Sequence, residues 1–347
     1  MPTVSQSSSD HWIRTGVVAA ATFMAVRPLI RHWREFIFRG KTALVTGGSR
    51  GLGLILAREL ITQGANVAVC ARDAGELERA QSDLSRVRQD ARVLPLVCDL
   101  TQRQEVEHMV RTVLRQFSSI DVLINNAGVI HVGPLEEMGL EDYEESMKVN
   151  FWGALYVTLA VLPEMRRRQN GRIVNISSIG GKLSIPHLLP YSCSKFALTG
   201  LSEGLRAELA KDGIVVTTVC PGLMRTGSSR HAYFKGKHRA EHAWFSISDA
   251  LPVVSMNAEK AARQILDACR HGRAEVILTL PAQIAVLLHS LLPESTVDML
   301  GVINRILPKP GGIGQERLTG EESTSIVSPS LITALNERAA RKYNQLA

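Results

Sequence analysis

From residue 41 onward, short apolar runs alternate with longer segments of mixed polarity. The runs are 42–46 (TALVT), 66–70 (NVAVC), 92–98 (RVLPLVC), 121–124 (DVLI), 172–177 (RIVNIS), 214–220 (IVVTTVC) and 275–279 (EVILT). Each is nearly continuous in apolar residues instead of alternating with polar ones, the pattern of strands covered on both faces. Helix-length segments fill the intervals, among them 52–63, 102–116, 143–168 and 191–211. Strand, helix and parallel strand in repetition predict an α/β protein with a doubly wound parallel sheet. Right-handed crossovers then place a ligand crevice at the carboxyl ends of the strands.

The pattern changes at both ends of the chain. Residues 15–26 (TGVVAAATFMAV) form an uncharged run between Arg14 and Arg27, flanked by Trp12 and Trp33. Twelve helical residues span about 18 Å, short of a hydrocarbon core of roughly 30 Å. The arginines that follow suit the cytoplasmic flank of an anchor at a membrane surface. A helix packed on the protein and an export signal are the other readings of this run. Beyond the last strand, Ile284, Leu287, Leu288, Leu291 and Leu292 make an apolar stripe at helical spacing, ended by Pro293. Leu300, Ile303 and Leu307 begin a second stripe, which stops at Pro308. These stripes pack on the domain or on a partner subunit, or else form an apolar rim that meets bilayer or a lipophilic substrate. A polar stretch follows, with a short helix expected near 331–345. The organisation read from the pattern is a hydrophobic N-terminal segment (1–40), one catalytic domain (41–280) and a C-terminal helical extension (281–347).

Composition narrows the class. The 347 residues are 45% hydrophobic and 21% charged, as in an ordinary globular protein. The net charge is +7, of which +4 falls within residues 1–41, so the rest of the chain is nearly balanced and lacks the basic face that nucleic acid would require. Five separated cysteines with no C-x-x-C pair imply reduced thiols in a reducing compartment. His231, His238 and His242 are too irregularly spaced to suggest a metal site.

The candidate chemistry lies at the strand ends. The first run leads into TGGSRGLG (46–53) just before a helix, where Gly47, Gly51 and Gly53 permit a tight turn and the helix N-terminus offers N–H groups to a pyrophosphate. Ser49, Arg50 and Leu52 lie in the same turn. The second run ends without the acidic residue that would select a ribose 2′-hydroxyl; Ala71 stands there, followed by Arg72. Arg72 and Arg50 together favour a 2′-phosphate, hence NADP(H) over NAD(H). At the third strand end, Asp99, followed by Leu100, either accepts a hydrogen bond from an adenine amino group or caps the next helix. The fourth ends in NNAG (125–128), where Asn126 can satisfy backbone groups while Ala127 and Gly128 leave room for a flat cofactor. Tyr191 and Lys195 stand four positions apart, and so do Tyr233 and Lys237, so spacing alone does not separate a reactive pair from an incidental one.

The ordered set T-G-x(3)-G-x-G, N-N-A-G, Asn150, Ser178, Tyr191-x(3)-Lys195 and Pro221–Gly222 resembles the classical short-chain dehydrogenase/reductase family over about residues 41–280. The resemblance implies a Rossmann fold and a catalytic tetrad of Asn150, Ser178, Tyr191 and Lys195. It selects Ser178 over Ser177, because the family's serine precedes its tyrosine by thirteen positions; thirteen before Tyr233 stands Cys220. In the implied chemistry Lys195 lowers the tyrosine pKa from about 10 toward 7, a change worth roughly 4 kcal/mol. Tyr191 then exchanges a proton with a carbonyl or alcohol oxygen that Ser178 also bonds. Lys195 holds the nicotinamide ribose, and Asn150 anchors a water that links Lys195 to solvent. Pro221, Gly222 and Thr226 border the nicotinamide carboxamide, with Arg225 a departure from the family pattern, and residues 223–256 form a substrate lid. The resulting expectation is an NADP(H)-dependent oxidoreductase acting on a small lipophilic carbonyl or alcohol. It would associate with the cytoplasmic side of a membrane and form a homodimer or homotetramer. The rivals are a soluble acyl-carrier-protein ketoreductase and a catalytically silent nucleotide-binding scaffold.

Overall fold

The computed structural model describes residues 35–251, 255–325 and 334–346. The run 15–26, with its expected anchoring role, lies outside the described residues, as do positions 252–254 of the expected lid. In chain order the main elements begin with β1 (Thr42–Thr46), α1 (Gly51–Thr62), β2 (Asn66–Ala71), α2 (Ala74–Ser85), β3 (Val93–Val97) and α3 (Arg103–Phe117). They continue with β4 (Val122–Asn125), α4 (Leu140–Met147), α5 (Gly153–Arg168), β5 (Gly171–Ile176), α6 (Leu189–Leu209) and β6 (Ile214–Pro221). Then come α7 (His238–Ala250), α8 (Ala258–Arg270), β7 (Glu275–Leu278), α9 (Leu280–Leu291), α10 (Pro293–Ile306) and α11 (Ala334–Lys342). The seven strands form one parallel sheet in the order β7-β6-β5-β4-β1-β2-β3, the doubly wound topology expected from the pattern.

The apolar character of the runs follows from their cover on both faces. On one side, α1 packs over β1 and β2 and α8 over β5, β6 and β7; Ala258, Ala261, Ala262, Ile265 and Leu266 of α8 recur at helical spacing and are all buried. On the other side, Val106, Met109, Val110 and Val113 of α3 join Val157, Val161 and Met165 of α5 beneath β4 and β5. Each such fully buried side chain contributes about 1.5–3 kcal/mol relative to exposure. Phe36 and Phe38 also enter the first of these clusters, and so do Ala339 and Tyr343 from the far end of the chain.

Two departures from the pattern matter for function. The single helix expected over 143–168 is interrupted by a π-helical turn at Lys148–Trp152. The wider turn carries an extra residue, which sets Asn150 inward between α4 and α5. The two apolar stripes after β7 do form helices, α9 and α10, yet their faces are left open: Leu291 is 67% and Ile306 81% exposed. Among the described residues no helix is long and apolar enough to cross a membrane.

Candidate functional site

The carboxyl ends of β1, β4, β5 and β6 meet over one cleft. β1 runs into a turn whose Gly47 has φ +61° and sits so near β4 that a Cβ there would lie 2.9 Å from Ala127 Cα. Gly51, with φ +55°, opens α1. The N–H groups of Leu52 and Gly53 have no acceptor among the described residues, so the first turn of α1 presents free donors and the positive end of its dipole. The turn is stitched to β4 by Asn126, whose side-chain amide donates to Thr46 O (3.0 Å) and Gly47 O (3.1 Å). The backbone N–H groups of Asn126 and Ala127 both donate to Thr46 Oγ1. A backbone-lined cradle of this kind fits a dinucleotide pyrophosphate.

At the ends of β2 and β3 the site is less cationic than its sequence suggests. Arg50 forms an ion pair with Glu76 from the first turn of α2, and Ser49 Oγ donates to the same carboxylate at 2.8 Å. Arg50 is therefore partly neutralised and held in place instead of standing ready for a phosphate, and Arg72, exposed just after β2, is the freer cation. Glu76 escaped the sequence reading because its partner lies across a loop 26 residues away. Asp99 accepts from Thr101 N and Thr101 Oγ1, both at 2.9 Å, so its carboxylate caps the turn leading to α3. Leu100 is buried beside α5, 3.1 Å from where a Cβ on Gly153 would stand.

The four side chains of the expected tetrad converge from three separate stretches. Asn150 accepts from Val129 N (2.8 Å) and donates to Val129 O (3.0 Å) and Ser194 Oγ (2.8 Å), fixing the loop after β4 against α6. Ser177 and Ser178, adjacent in sequence, divide cleanly. Ser177 Oγ is absorbed by Lys195 O and Thr199 Oγ1 inside the protein, whereas Ser178 Oγ accepts from Gly180 N (3.0 Å) and lies beside the Tyr191 phenol, whose pKa it draws down. Lys195 Nζ donates to Ile176 O (2.9 Å) and lies 5.7 Å from the Tyr191 ring centroid. Gly128 is packed tightly here: a Cβ on it would be 2.9 Å from Asn150 Oδ1 and 3.5 Å from Lys195 Nζ.

The electrostatics reverse one expectation. Tyr191 is pushed up to about 12, first by burial and further by the Asp249 carboxylate, with the Ser178 hydrogen bond pulling the other way. Burial also lowers Lys195 to about 8. Desolvation outweighs the attraction between ammonium and phenolate, so the predicted lowering of Tyr191 is not met by this chain's own residues. Asp249, on α7, is itself raised to about 8 by burial and has no hydrogen-bond or ion-pair partner among the described residues. Nothing in its sequence neighbourhood distinguishes it from an ordinary helix carboxylate.

Pro221 ends β6, and Gly222 N donates to Leu278 O at 3.2 Å, with Thr279 Oγ1 filling the space a Cβ would need. Thr226 is buried and its hydroxyl accepts from Ser228 N. Arg225 is a structural tie: its guanidinium donates to Ser255 O and Ser255 Oγ, both at 2.8 Å. Helix α7, in the stretch expected to form a lid, is tied to the loop before α6 by a buried His187–Glu241 pair (2.8 Å), to which Trp244 Nε1 adds a donor at 2.6 Å. Tyr233 and Lys237 lie on a two-residue strand and the turn after it, away from the tetrad's helix.

A family model described as short chain dehydrogenase matches residues 41–234. A protein of Anopheles gambiae called dehydrogenase/reductase SDR family protein 7-like is 34% identical over 76% of this chain and 80% of its own. Among solved structures, a short-chain dehydrogenase from Streptomyces avermitilis superposes with a TM-score of 0.65 at 31% identity, covering 77% of this chain and 97% of that one. An actinorhodin polyketide ketoreductase determined with NADPH gives 0.62 at 30% identity, over 69% and 95% of the two chains.

Proposed function

Because the chain belongs to the short-chain dehydrogenase/reductase family, we propose that this oxidoreductase interconverts a lipophilic alcohol and carbonyl with NADP(H). The observation that carries the reading is the convergence of Tyr191, Ser178 and Lys195 beside a glycine turn with free N–H donors. The turn at 47–53, the Asn126–Gly128 segment and Thr226 would hold the dinucleotide, with Arg72 toward a 2′-phosphate. Bound there, a nicotinamide gives or takes the hydride. Tyr191 donates the proton to the substrate oxygen in reduction and accepts it in oxidation, and Ser178 hydrogen-bonds that oxygen. Lys195, anchored on Ile176 O, keeps positive charge next to the phenol and would hold the nicotinamide ribose. Asn150 Oδ1 and Lys195 Nζ both pack against Gly128, and a water hydrogen-bonded between this pair and solvent would relay the proton outward.

A lipophilic substrate is favoured by a groove of about 800 Å³ walled by Leu183, Ile185 and Phe196 on one side and by Val297, Leu300 and Leu307 on the other. None of the four tetrad residues lines it; Leu189 and Phe196 join it to α6, the helix that carries Tyr191, and the exposed faces of α9 and α10 adjoin it. Those faces, together with the run at 15–26, favour attachment to the cytoplasmic side of a membrane, and α4–α6 suit assembly into a homodimer or homotetramer. A carrier-bound acyl ketone is the second reading, favoured by the likeness to a polyketide ketoreductase. The test is a panel of long-chain, polycyclic and carrier-bound ketones followed at the NADPH absorbance band. Turnover of the free apolar ketones supports the proposal, turnover of carrier-bound ones alone supports the second reading, and dinucleotide binding with no turnover across the panel refutes both.

A further inference from the structure

The far end of the chain returns to the cofactor cradle. Ala339 of α11 and Tyr343 just after it are buried in the first core cluster, which brings residues 343–345 across the mouth of the glycine turn. Tyr343 O accepts the N–H of Gly51 at 2.9 Å. Asn344 Nδ2 donates to Ser49 O (2.8 Å) and Glu76 O (3.1 Å), and its Oδ1 accepts from Arg79 at 3.0 Å. Gln345 then spans the cleft: its Nε2 donates to Thr226 O at 3.3 Å, and a Cβ on Gly51 would lie 2.6 Å from the same nitrogen. Two features distinguish this arrangement from a tail that simply packs on a surface. Gln345 is 3% exposed, and its Oε1 has no donor among the described residues. The tail also uses only one of the three N–H groups in the first turn of α1, leaving those of Leu52 and Gly53 free.

We infer that residues 343–345 form a strap that completes the dinucleotide site, with the Gln345 carboxamide as a direct cofactor contact bridging the glycine turn and Thr226. A buried carboxamide oxygen with no donor is costly, and a dinucleotide carries donors of the right kind in its ribose hydroxyls. The second N–H of Nε2, not used by Thr226, suits a pyrophosphate oxygen. Because the Leu52 and Gly53 donors stay open, the strap closes over a bound ligand and does not replace it. The inference rests on the proposed nicotinamide-dependent function, and binding measurements separate the two.

Full-length wild-type, Gln345→Ala and Gln345→Glu proteins are titrated with NADPH and with NADH by cofactor fluorescence, after matched melting curves without ligand. Loss of the carboxamide is expected to raise the Kd of the tighter-binding dinucleotide about tenfold, the effect of one or two polar contacts. The Glu variant places a carboxylate next to the pyrophosphate, so its Kd should rise further and its deficit should shrink at high salt. Wild-type binding with an unchanged or lower Kd in Gln345→Ala overturns the strap alone, a lower value marking the tail as a competitor. Failure of the wild type to bind either dinucleotide overturns the parent reading and the strap with it.

Discussion

Tyr191 and Tyr233 each stand four positions before a lysine, and the fold puts the two pairs to different uses. Tyr191 and Lys195 lie on α6, with Pro190 in its first turn, so one helical turn carries both toward the strand ends where Ser178 and Asn150 wait. Tyr233 lies on a two-residue strand, and Gly236 turns the chain (φ +64°) before Lys237, which is exposed to solvent. The Tyr233 ring is held between the Arg317 guanidinium, 4.4 Å from its centroid, and the His131 ring at 5.4 Å. Spacing sets a geometry only once the backbone type is given. What makes one pair chemical is a buried ammonium, a serine hydroxyl and an open cofactor cradle on the same side.

The comparison is broken most directly by removing the hydroxyls. Tyr191→Phe should lower kcat/KM for carbonyl reduction by about 10³-fold or more while cofactor Kd stays within a factor of about three. Tyr233→Phe should leave both unchanged, and comparable losses in steady-state assays would show that the two tyrosines had been wrongly separated. Exchanging the lysines is expected to have the next largest effect. Lys195→Met removes the ammonium facing the phenol and should cost about 10²-fold in kcat/KM, with the alkaline limb of oxidation moved to higher pH. Lys237→Met should change neither the rate nor the limb.

Cofactor choice sharpens the picture of the cradle. Arg72→Ala should weaken NADPH about tenfold and NADH little, as the loss of one charge-assisted phosphate contact would. Glu76→Gln releases Arg50 and should shift the NADPH-to-NADH affinity ratio modestly toward NADPH; a shift toward NADH would place Arg50 away from the phosphate.

Asp249 supplies the smallest and most pH-dependent effect. Its folded-state pKa, about 8, is above the unfolded value of about 4, so between these limits the native state holds a proton that the unfolded chain has released. Stability from this group is thus complete below pH 4 and falls as pH rises toward 8. Asp249→Asn has no such proton to lose. Its melting temperature should exceed that of the wild type by a few degrees at pH 8, with the difference vanishing near pH 4. Above pH 8 the variant should also titrate Tyr191 at lower pH, since the carboxylate that raises it is gone. A melting difference that does not vary with pH would contradict this account.

The central sheet was legible because its strands are buried on both faces: a run such as TALVT keeps three apolar residues in succession between its threonines, and all seven runs became strands within a residue or two of the expected bounds. The glycine turn and the NNAG segment were legible for a related reason, since close backbone approach tolerates few residue types. Less was readable where local pattern and tertiary context part. The π-helical turn that aims Asn150 leaves the helical periodicity around it almost undisturbed. The pairing of Arg50 with Glu76 joins the glycine turn to the first turn of α2, a proximity no periodicity records.

Taken alone, the sequence determined the doubly wound sheet and the glycine turn at the end of β1, and it named the residues proposed to exchange a proton. These depend on residue type and short spacing, which survive translation into any fold of this class. Tertiary structure decided the rest: which of two adjacent serines meets the phenol, that burial raises Tyr191 instead of lowering it, that Asp249 stands without a partner, and that Gln345 crosses the mouth of the first turn. Desolvation and long-range hydrogen bonding depend on what surrounds a group in three dimensions, and residues 51 and 345 become neighbours only when the sheet and its helices have closed around them.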